Sequence, residues 1–205
     1  MEVLMRTVTR LTKLVGFLLL ASGCMASTED EGTQDDEEAV DTASMDLGVN
    51  LLANSGFESP LSDNAWGHWR KRADWPADTL LRIGAAAFAG SYGLRIVDTS
   101  VNHLACVDQL AMVEGSVEYR VQGKARRLSG SGVQRIAMMF LDDEQYEVPG
   151  SRIAVGAGTG DTWHTVSRDF VTPASARYVW VMVGDCARII AAATYDWDNV
   201  RLQSL

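Results

Sequence analysis

The chain has 205 residues, of which 47% are hydrophobic, an ordinary proportion for a globular protein. Its formal net charge of -9 is uneven, because residues 25–46 hold nine acidic residues and no basic ones, whereas residues 47–205 hold 17 acidic and 15 basic residues. The acidity therefore indicates no cationic ligand for the larger part, and no basic excess points to a nucleic-acid partner.

Residues 1–23 have the parts of a secretory signal peptide. Three basic residues precede an apolar run over 14–20, which is too short to span a bilayer. The sequence Leu-Ala-Ser-Gly-Cys that ends at Cys24 resembles the lipobox of bacterial lipoproteins. This resemblance implies cleavage before Cys24, lipid modification of its sulfur, and a place in the bacterial cell envelope, at the outer membrane on its periplasmic or surface face. The alternative is an ordinary signal peptide that releases a soluble protein.

Residues 24–47 combine the lipidated cysteine with an acidic linker. The segment has no aromatic residue, few bulky aliphatic residues and a high density of like charges. This composition predicts a disordered tether that charge repulsion keeps extended. The less favoured alternative is a segment that binds a cation or a partner.

Short alternating runs separated by Gly, Asp, Ser and Pro recur through residues 48–205, and no stretch has a convincing helical period. Eight or more such runs with turn residues between them predict an all-β sandwich of two antiparallel sheets. The clearest strands cover Ser91–Val97, Ser116–Gln122, Gln134–Phe140, Tyr178–Val183 and Tyr195–Leu202.

One of these strands is apolar on both faces. In Tyr178–Val183 three valines alternate with Tyr178, Trp180 and Met182. A simple sandwich leaves one face of each strand polar. The second face is therefore expected to lie under loops or to carry a ligand groove.

Several segments, in this order along the chain, carry a family resemblance: NLLANSGFE at 50–58, AGSYGLRI at 89–96, EGSVEY at 114–119 and YDWDNVRL at 195–202. Together they resemble the jelly-roll carbohydrate-binding modules of the galactose-binding-domain-like superfamily. The resemblance covers essentially all of residues 48–205. It implies a jelly roll whose chain ends lie side by side and a carbohydrate ligand, although one fold hosts many functions.

The resemblance also implies a structural calcium ion where the chain ends meet. The matching residues are Glu58 and Asp198, with backbone oxygens near residues 89–91 as further ligands. Calcium takes six to eight hard oxygen ligands, which carboxylates and carbonyl groups supply. The alternative is that both acids end strands and accept backbone hydrogen bonds.

Two cysteines remain once Cys24 is assigned to lipid. An even pair in an exported domain favours a disulfide between Cys106 and Cys186, because oxidation is available outside the cytoplasm. Two buried free thiols are the alternative.

The sequence offers no catalytic constellation, and we expect no enzyme. The three histidines have no metal-binding spacing, and no nucleophile motif occurs. Acidic residues cluster over 142–147, where paired carboxylates can hydrolyse glycosides, but no second motif completes such a site. An exposed acidic turn is the favoured interpretation.

A sugar site needs aromatic rings for stacking and polar groups for hydrogen bonds. We predict exposed ring platforms at Trp75 and Tyr146, and a groove on the second face of one strand with Trp180, Tyr178 and Arg135. For any one of these residues, packing is commoner than binding.

The remaining tryptophans are expected to be structural. Trp163 and Trp197 match core positions of the resembled modules, and Trp66 or Trp69 is expected to pack near the start of the domain. The predicted protein is thus a non-catalytic, lipid-anchored module that binds polysaccharide or another glycan. The alternative is an envelope protein-interaction or structural module of the same fold.

Overall fold

A computed structural model describes residues 48–73, 79–99, 103–186 and 191–205. The predicted signal peptide, the lipidated Cys24, the acidic linker and Trp75 lie outside the described residues. No helix in the described part is long and apolar enough to span a bilayer. Within these ranges the chain forms one 3-10 turn, Gly84–Ala86, and ten strands. The strands are β1 Arg70–Ala73, β2 Thr79–Ile83, β3 Gly93–Asp98, β4 Ala105–Met112, β5 Glu118–Gly130, β6 Arg135–Leu141, β7 Ile153–Gly156, β8 His164–Val171, β9 Tyr178–Asp185 and β10 Ala193–Ser204.

The strands form two five-stranded antiparallel sheets, as predicted. Sheet I has the order β1-β4-β9-β6-β7, and sheet II has the order β2-β3-β10-β5-β8. Apart from the consecutive pairs β2–β3 and β6–β7, neighbours in each sheet come from distant parts of the chain, because most connections cross from one sheet to the other. The jelly-roll prediction is therefore confirmed, and all five predicted strands are present. Four of them agree within two residues at each end, whereas β5 continues eight residues beyond the predicted end at Gln122.

The core lies between the sheets and follows the period-two alternation of the sequence. On β9 the three valines at 179, 181 and 183 are fully buried, and on β6 Ile136, Met138 and Phe140 are at most 1% exposed. Trp69 and Trp197 are the largest fully buried side chains among the described residues, and their indole N–H groups donate to Asn54 O and to Gln134 Oε1. Each buried ring therefore has its polar atom satisfied.

The two ends of the described chain lie side by side, as the resemblance implied. Leu51 N donates to Leu202 O at 2.8 Å, and Val200 N donates to Ser55 O at 2.9 Å. The side chain of Asn50 reinforces this contact, because its Oδ1 accepts from Leu202 N at 2.9 Å. The opening segment is thereby fixed along β10.

Each sheet holds a buried aspartate under arginines on its outer face. On sheet II, Asp196 accepts two hydrogen bonds from Arg95, at 2.7 and 2.9 Å, and further bonds from Arg126 at 2.8 and 3.0 Å. On sheet I, Asp108 accepts from Arg70 at 2.8 and 2.9 Å, and Arg72 lies 3.4 Å away. These carboxylates are fully buried, so the arginines compensate the cost of removing them from water.

The predicted disulfide is confirmed. Cys106 lies in β4, and Cys186 directly follows β9, its neighbour in sheet I. Their Cα atoms are 5.4 Å apart, within the usual range for a bridge, and the bond closes a sequence separation of 80 residues.

Candidate functional site

The outer face of sheet I carries the second apolar set of β9. In the register of the sheet, Met182 lies opposite Ala137 of β6, and Trp180 lies opposite Met139. Antiparallel partners share a face, so these four side chains form one apolar surface. This is the face for which the sequence predicted either covering loops or a groove.

The structure shows both outcomes at different places on that face. At one end, Ala65 of the loop before β1 packs over Leu110 and Leu141 in a small apolar cluster. At the other end no loop of the described residues covers the face, which forms a cavity of about 580 Å³. We call this cavity the groove; it is lined by Arg72, Leu104, Arg135, Ala137, Met138, Met139, Arg152, Ile153, Ala154, Trp180, Met182 and Cys186.

Trp180 lines the groove and also packs against the small apolar cluster. The guanidinium carbons of Arg70 and Arg72 lie 5.5 and 5.6 Å from its ring centroid, which is cation–π range. Its Nε1 is buried and has no hydrogen-bond partner among the described residues. The indole therefore contributes an apolar surface to the groove rather than a bonded polar edge.

A second, smaller concavity of about 310 Å³ adjoins the groove and shares Trp180 with it. Trp66 lines this concavity, is 43% exposed, and packs edge-on against Tyr178 with ring centroids 5.4 Å apart. Trp69, in contrast, is fully buried. The sequence left Trp66 and Trp69 as equivalent packing candidates, and only the path of the loop before β1 separates them.

Three arginines surround the apolar floor. Arg72 of β1 contacts Asp108, and Arg152, just before β7, makes two hydrogen bonds of 2.6 Å to Glu147. Hydrogen bonding to Arg152 lowers the pKa of Glu147, so this pair stays ionised. The side chain of Arg135, in β6, makes no hydrogen bond or ion pair with any residue that the structure describes. Of the three, only Arg135 was predicted from the sequence.

The predicted ligand-binding residues are only partly brought together. Trp180 and Arg135 line the same groove. Tyr178 lies two residues before Trp180 on the same face of β9, against Trp66. Tyr146 is 67% exposed in the turn after β6 and lies outside the groove lining, so its role stays a prediction.

The acidic cluster after β6 forms a turn, in line with the favoured interpretation. Asp142 Oδ1 accepts from the backbone N–H groups of Glu144 and Tyr146, at 3.1 and 2.8 Å. Glu147, as described above, binds Arg152. Two of the acids in this cluster are thus occupied in holding the turn and the groove edge.

The two predicted calcium ligands lie at the meeting of the chain ends. Asp198 is fully buried, and its Oδ2 accepts from Phe88 N and Ala89 N at 2.7 and 2.9 Å. Glu58 Oε1 accepts from Ser91 N at 2.9 Å. Burial raises the pKa of Asp198, and the nearby charge of Glu58 adds to the rise, whereas the backbone donors lower it.

Gly90 leaves room for the side chain of Glu58 to contact the loop over residues 88–91. Gly90 has a φ of +73°, and a Cβ there would lie only 2.1 Å from Glu58 Oε1. Asp198 and Asn199 each place a side-chain oxygen within 4 Å of the Cβ position of Gly56. Two carboxylates and an amide oxygen fit the hard ligands of calcium. Across the described ranges, this loop included, no three His, Cys, Asp or Glu side chains gather as a metal site, so calcium here would need backbone and amide oxygens besides the two carboxylates.

Comparison with known proteins gave structural matches alone. No family model matches the sequence, and no curated protein matches it. Among solved structures, the chain is similar to the CBM22-1 xylan-binding domain of Paenibacillus barcinonensis Xyn10C, with a TM-score of 0.54 and 13% identity over 77% of this chain and 96% of that one. It is also similar to a putative sugar-binding protein from Bacteroides thetaiotaomicron, with a TM-score of 0.54 and 9% identity over 77% of this chain and 100% of that one.

This chain has the jelly-roll fold of the carbohydrate-binding modules. Most of the similar structures are such modules, so the resemblance inferred from the sequence is confirmed at the level of the fold. The chain is also similar to the enzymatically active domain of tailspike protein 4 from bacteriophage CBA120, with a TM-score of 0.60 and 15% identity. The match covers 77% of this chain but only 22% of the tailspike chain.

Proposed function

We propose that this protein is a non-catalytic carbohydrate-binding module and that the groove on the outer face of sheet I holds the glycan. The fold supports the proposal, since most similar structures are carbohydrate-binding modules. The observation that carries it is an apolar groove whose described lining includes Trp180, two outward methionines and three arginines.

The chemistry of the groove matches the chemistry of a sugar. A pyranose ring has an apolar face that stacks on an indole and a rim of hydroxyl groups that need hydrogen-bond partners. Trp180 with Met139 and Met182 supplies the apolar floor, and the guanidinium groups of Arg72 and Arg135 supply donors. The adjoining concavity at Trp66 extends this surface, which suits a chain of several sugars rather than a monosaccharide.

Replacing Trp180 with alanine should weaken glycan binding at least about tenfold, because the variant removes the ring that stacks on the sugar. A glycan array first identifies the ligand for the full-length chain in mild detergent. Isothermal titration calorimetry then compares the wild type with Trp180→Ala and Trp180→Phe. The phenylalanine variant keeps a stacking ring and should retain part of the affinity.

Tyr146→Ala tests another ring platform that the sequence predicts, because Tyr146 is exposed but lies outside the groove lining. The groove proposal expects it to bind like the wild type. Equal losses in both variants would contradict the assignment of the groove. Failure of the folded chain to bind any plant, algal or bacterial polysaccharide favours the envelope interaction module instead.

For location, we propose that Cys24 carries the lipid and that the acidic linker holds the domain away from the membrane. The lipobox-like sequence and the charge of residues 25–46 support this arrangement. The membrane is then a partner only through the anchor. In a bacterial host fed with labelled fatty acid, the wild type should carry the label and sediment with membranes. A Cys24→Ser variant that keeps both properties would contradict the anchor.

We also propose that Glu58 and Asp198 hold a structural calcium ion. Their carboxylates meet at the chain ends, where burial raises the cost of the negative charge of Asp198. Bound calcium would supply the positive charge that compensates this cost. A ligand that binds only the folded state stabilises that state by about 2.7 kcal/mol when the free ligand concentration is about 100 times the dissociation constant.

Adding calcium after chelation should therefore raise the melting temperature by several degrees in the wild type. The Glu58→Gln variant keeps the shape of the side chain but should lose most of this response, and magnesium should not replace calcium. An unchanged melting temperature in the wild type would leave both acids as acceptors for backbone N–H groups only.

A further inference from the structure

The charge of the groove differs from that of the chain around it. Residues 47–205 have two more acidic than basic residues, yet the described lining of the groove contains three arginines and no acidic residue. Two of these arginines have a carboxylate partner beside the groove, Asp108 for Arg72 and Glu147 for Arg152. The third, Arg135, leaves a local excess of positive charge on the described floor and rim.

Arg135 has an environment that favours an external partner. Its side chain is half-buried, and it makes no hydrogen bond or ion pair with the described residues. In the sheet its partners on both sides are glycines, Gly156 of β7 and Gly184 of β9, so no neighbouring side chain covers it at those positions. A partly desolvated guanidinium without a counter-charge is costly, and an anion that enters the groove would remove that cost.

We propose that the groove selects an anionic glycan, in which carboxylate or sulfate groups bind Arg135 while the sugar rings stack on Trp180. This inference rests on the proposed function and specifies its ligand class. A guanidinium presents paired donors in a plane that match two oxygens of one anionic group, and such charged hydrogen bonds are about twice as strong as neutral ones. Arg72 and Arg152 line the same groove, but each has a carboxylate beside it, so the excess positive charge of the described lining is that of Arg135.

The test compares charged glycans with uncharged counterparts of the same backbone. Calorimetry on the full-length chain in mild detergent uses polygalacturonate against its methyl ester, and sulfated galactan against the desulfated polymer. The charged member of at least one pair should bind about tenfold more tightly at low salt. Its advantage should shrink as sodium chloride is added, because added salt screens exposed charges. The pair that shows the preference distinguishes a carboxylate from a sulfate ligand.

Variants then place the preference at Arg135. Arg135→Gln should abolish the difference between charged and uncharged polymers, whereas Arg135→Lys should keep part of it because the charge remains. Arg201→Gln is the matched control: it removes the same charge from an exposed residue of sheet II. Melting curves of all three variants verify that they are folded.

The possible outcomes separate this inference from the proposed function. If charged and uncharged polymers bind equally and Trp180→Ala abolishes both, the anionic preference is overturned. The groove then remains a glycan site. If Arg201→Gln and Arg135→Gln reduce the preference for charged polymers equally, the assignment to Arg135 is overturned, because the net charge of the protein then explains the preference. Absence of binding to every polymer overturns both proposals together.

Discussion

Replacing Cys106 and Cys186 together with alanine should lower the free energy of unfolding by about 2–5 kcal/mol. The bridge closes a separation of 80 residues, and a cross-link of that span removes much of the conformational freedom of the unfolded chain. Alanine is preferred to serine because Cys106 is fully buried, and a buried hydroxyl would add a cost of its own. Urea unfolding followed by tryptophan fluorescence measures the change.

The reduced wild type is the control for this prediction. Its unfolding curve under a thiol reductant should move toward that of the double variant, and the double variant should not respond to the reductant. Equal stability of the oxidised wild type and the double variant would contradict the prediction. The same pair of proteins can be tested for glycan binding, because Cys186 lines the groove.

The second large effect is expected at the buried carboxylate of sheet II. The Asp196→Asn variant should lower the free energy of unfolding by about 2–4 kcal/mol, because it removes the negative charge that two flanking arginines share. Asp196 is fully buried, whereas the side chains of Arg95 and Arg126 are 24% and 26% exposed. Both arginines can therefore turn partly to water, which places the expected cost below that of a completely buried pair.

Asp169→Asn is the matched control for Asp196→Asn. Asp169 also accepts two hydrogen bonds from an arginine of the neighbouring strand, Arg120, but both side chains are 43% exposed. Solvent and salt screen such a pair, so the control should barely change the unfolding curve. Similar losses in the two variants would contradict the view that burial of Asp196 sets the size of the effect.

The sandwich can be predicted from the sequence because the alternation of apolar and polar residues is contained within each strand. Alternation along β6 and β9 identifies the inward residues, and the structure buries Ile136, Phe140 and Val181 as that pattern requires. The meeting of the chain ends and the disulfide were also predicted. The end-to-end contact followed from a resemblance spread over the whole domain, and the disulfide from the even number of remaining cysteines.

The groove is harder to predict because its residues come from strands that are distant in sequence. Trp180 and Arg135 were predicted, since each lies on the outward face of a strongly alternating strand. Arg72 and Arg152 were missed, because only the strand order of sheet I brings β1 and β7 to the two sides of β9 and β6. Trp66 was not distinguished from Trp69, because the conformation of a loop decides which ring is exposed.

The central claim is that glycan binds on the outer face of sheet I. The most direct test is an NMR titration of the full-length chain labelled with ¹⁵N-tryptophan, using the best ligand from the glycan array. We expect the indole signals of Trp180 and Trp66 to shift, while those of the buried Trp69 and Trp197 stay in place. The Trp180→Phe variant identifies the first of these signals. Shifts confined to Trp163, which contacts Arg126 of sheet II, would contradict the claim.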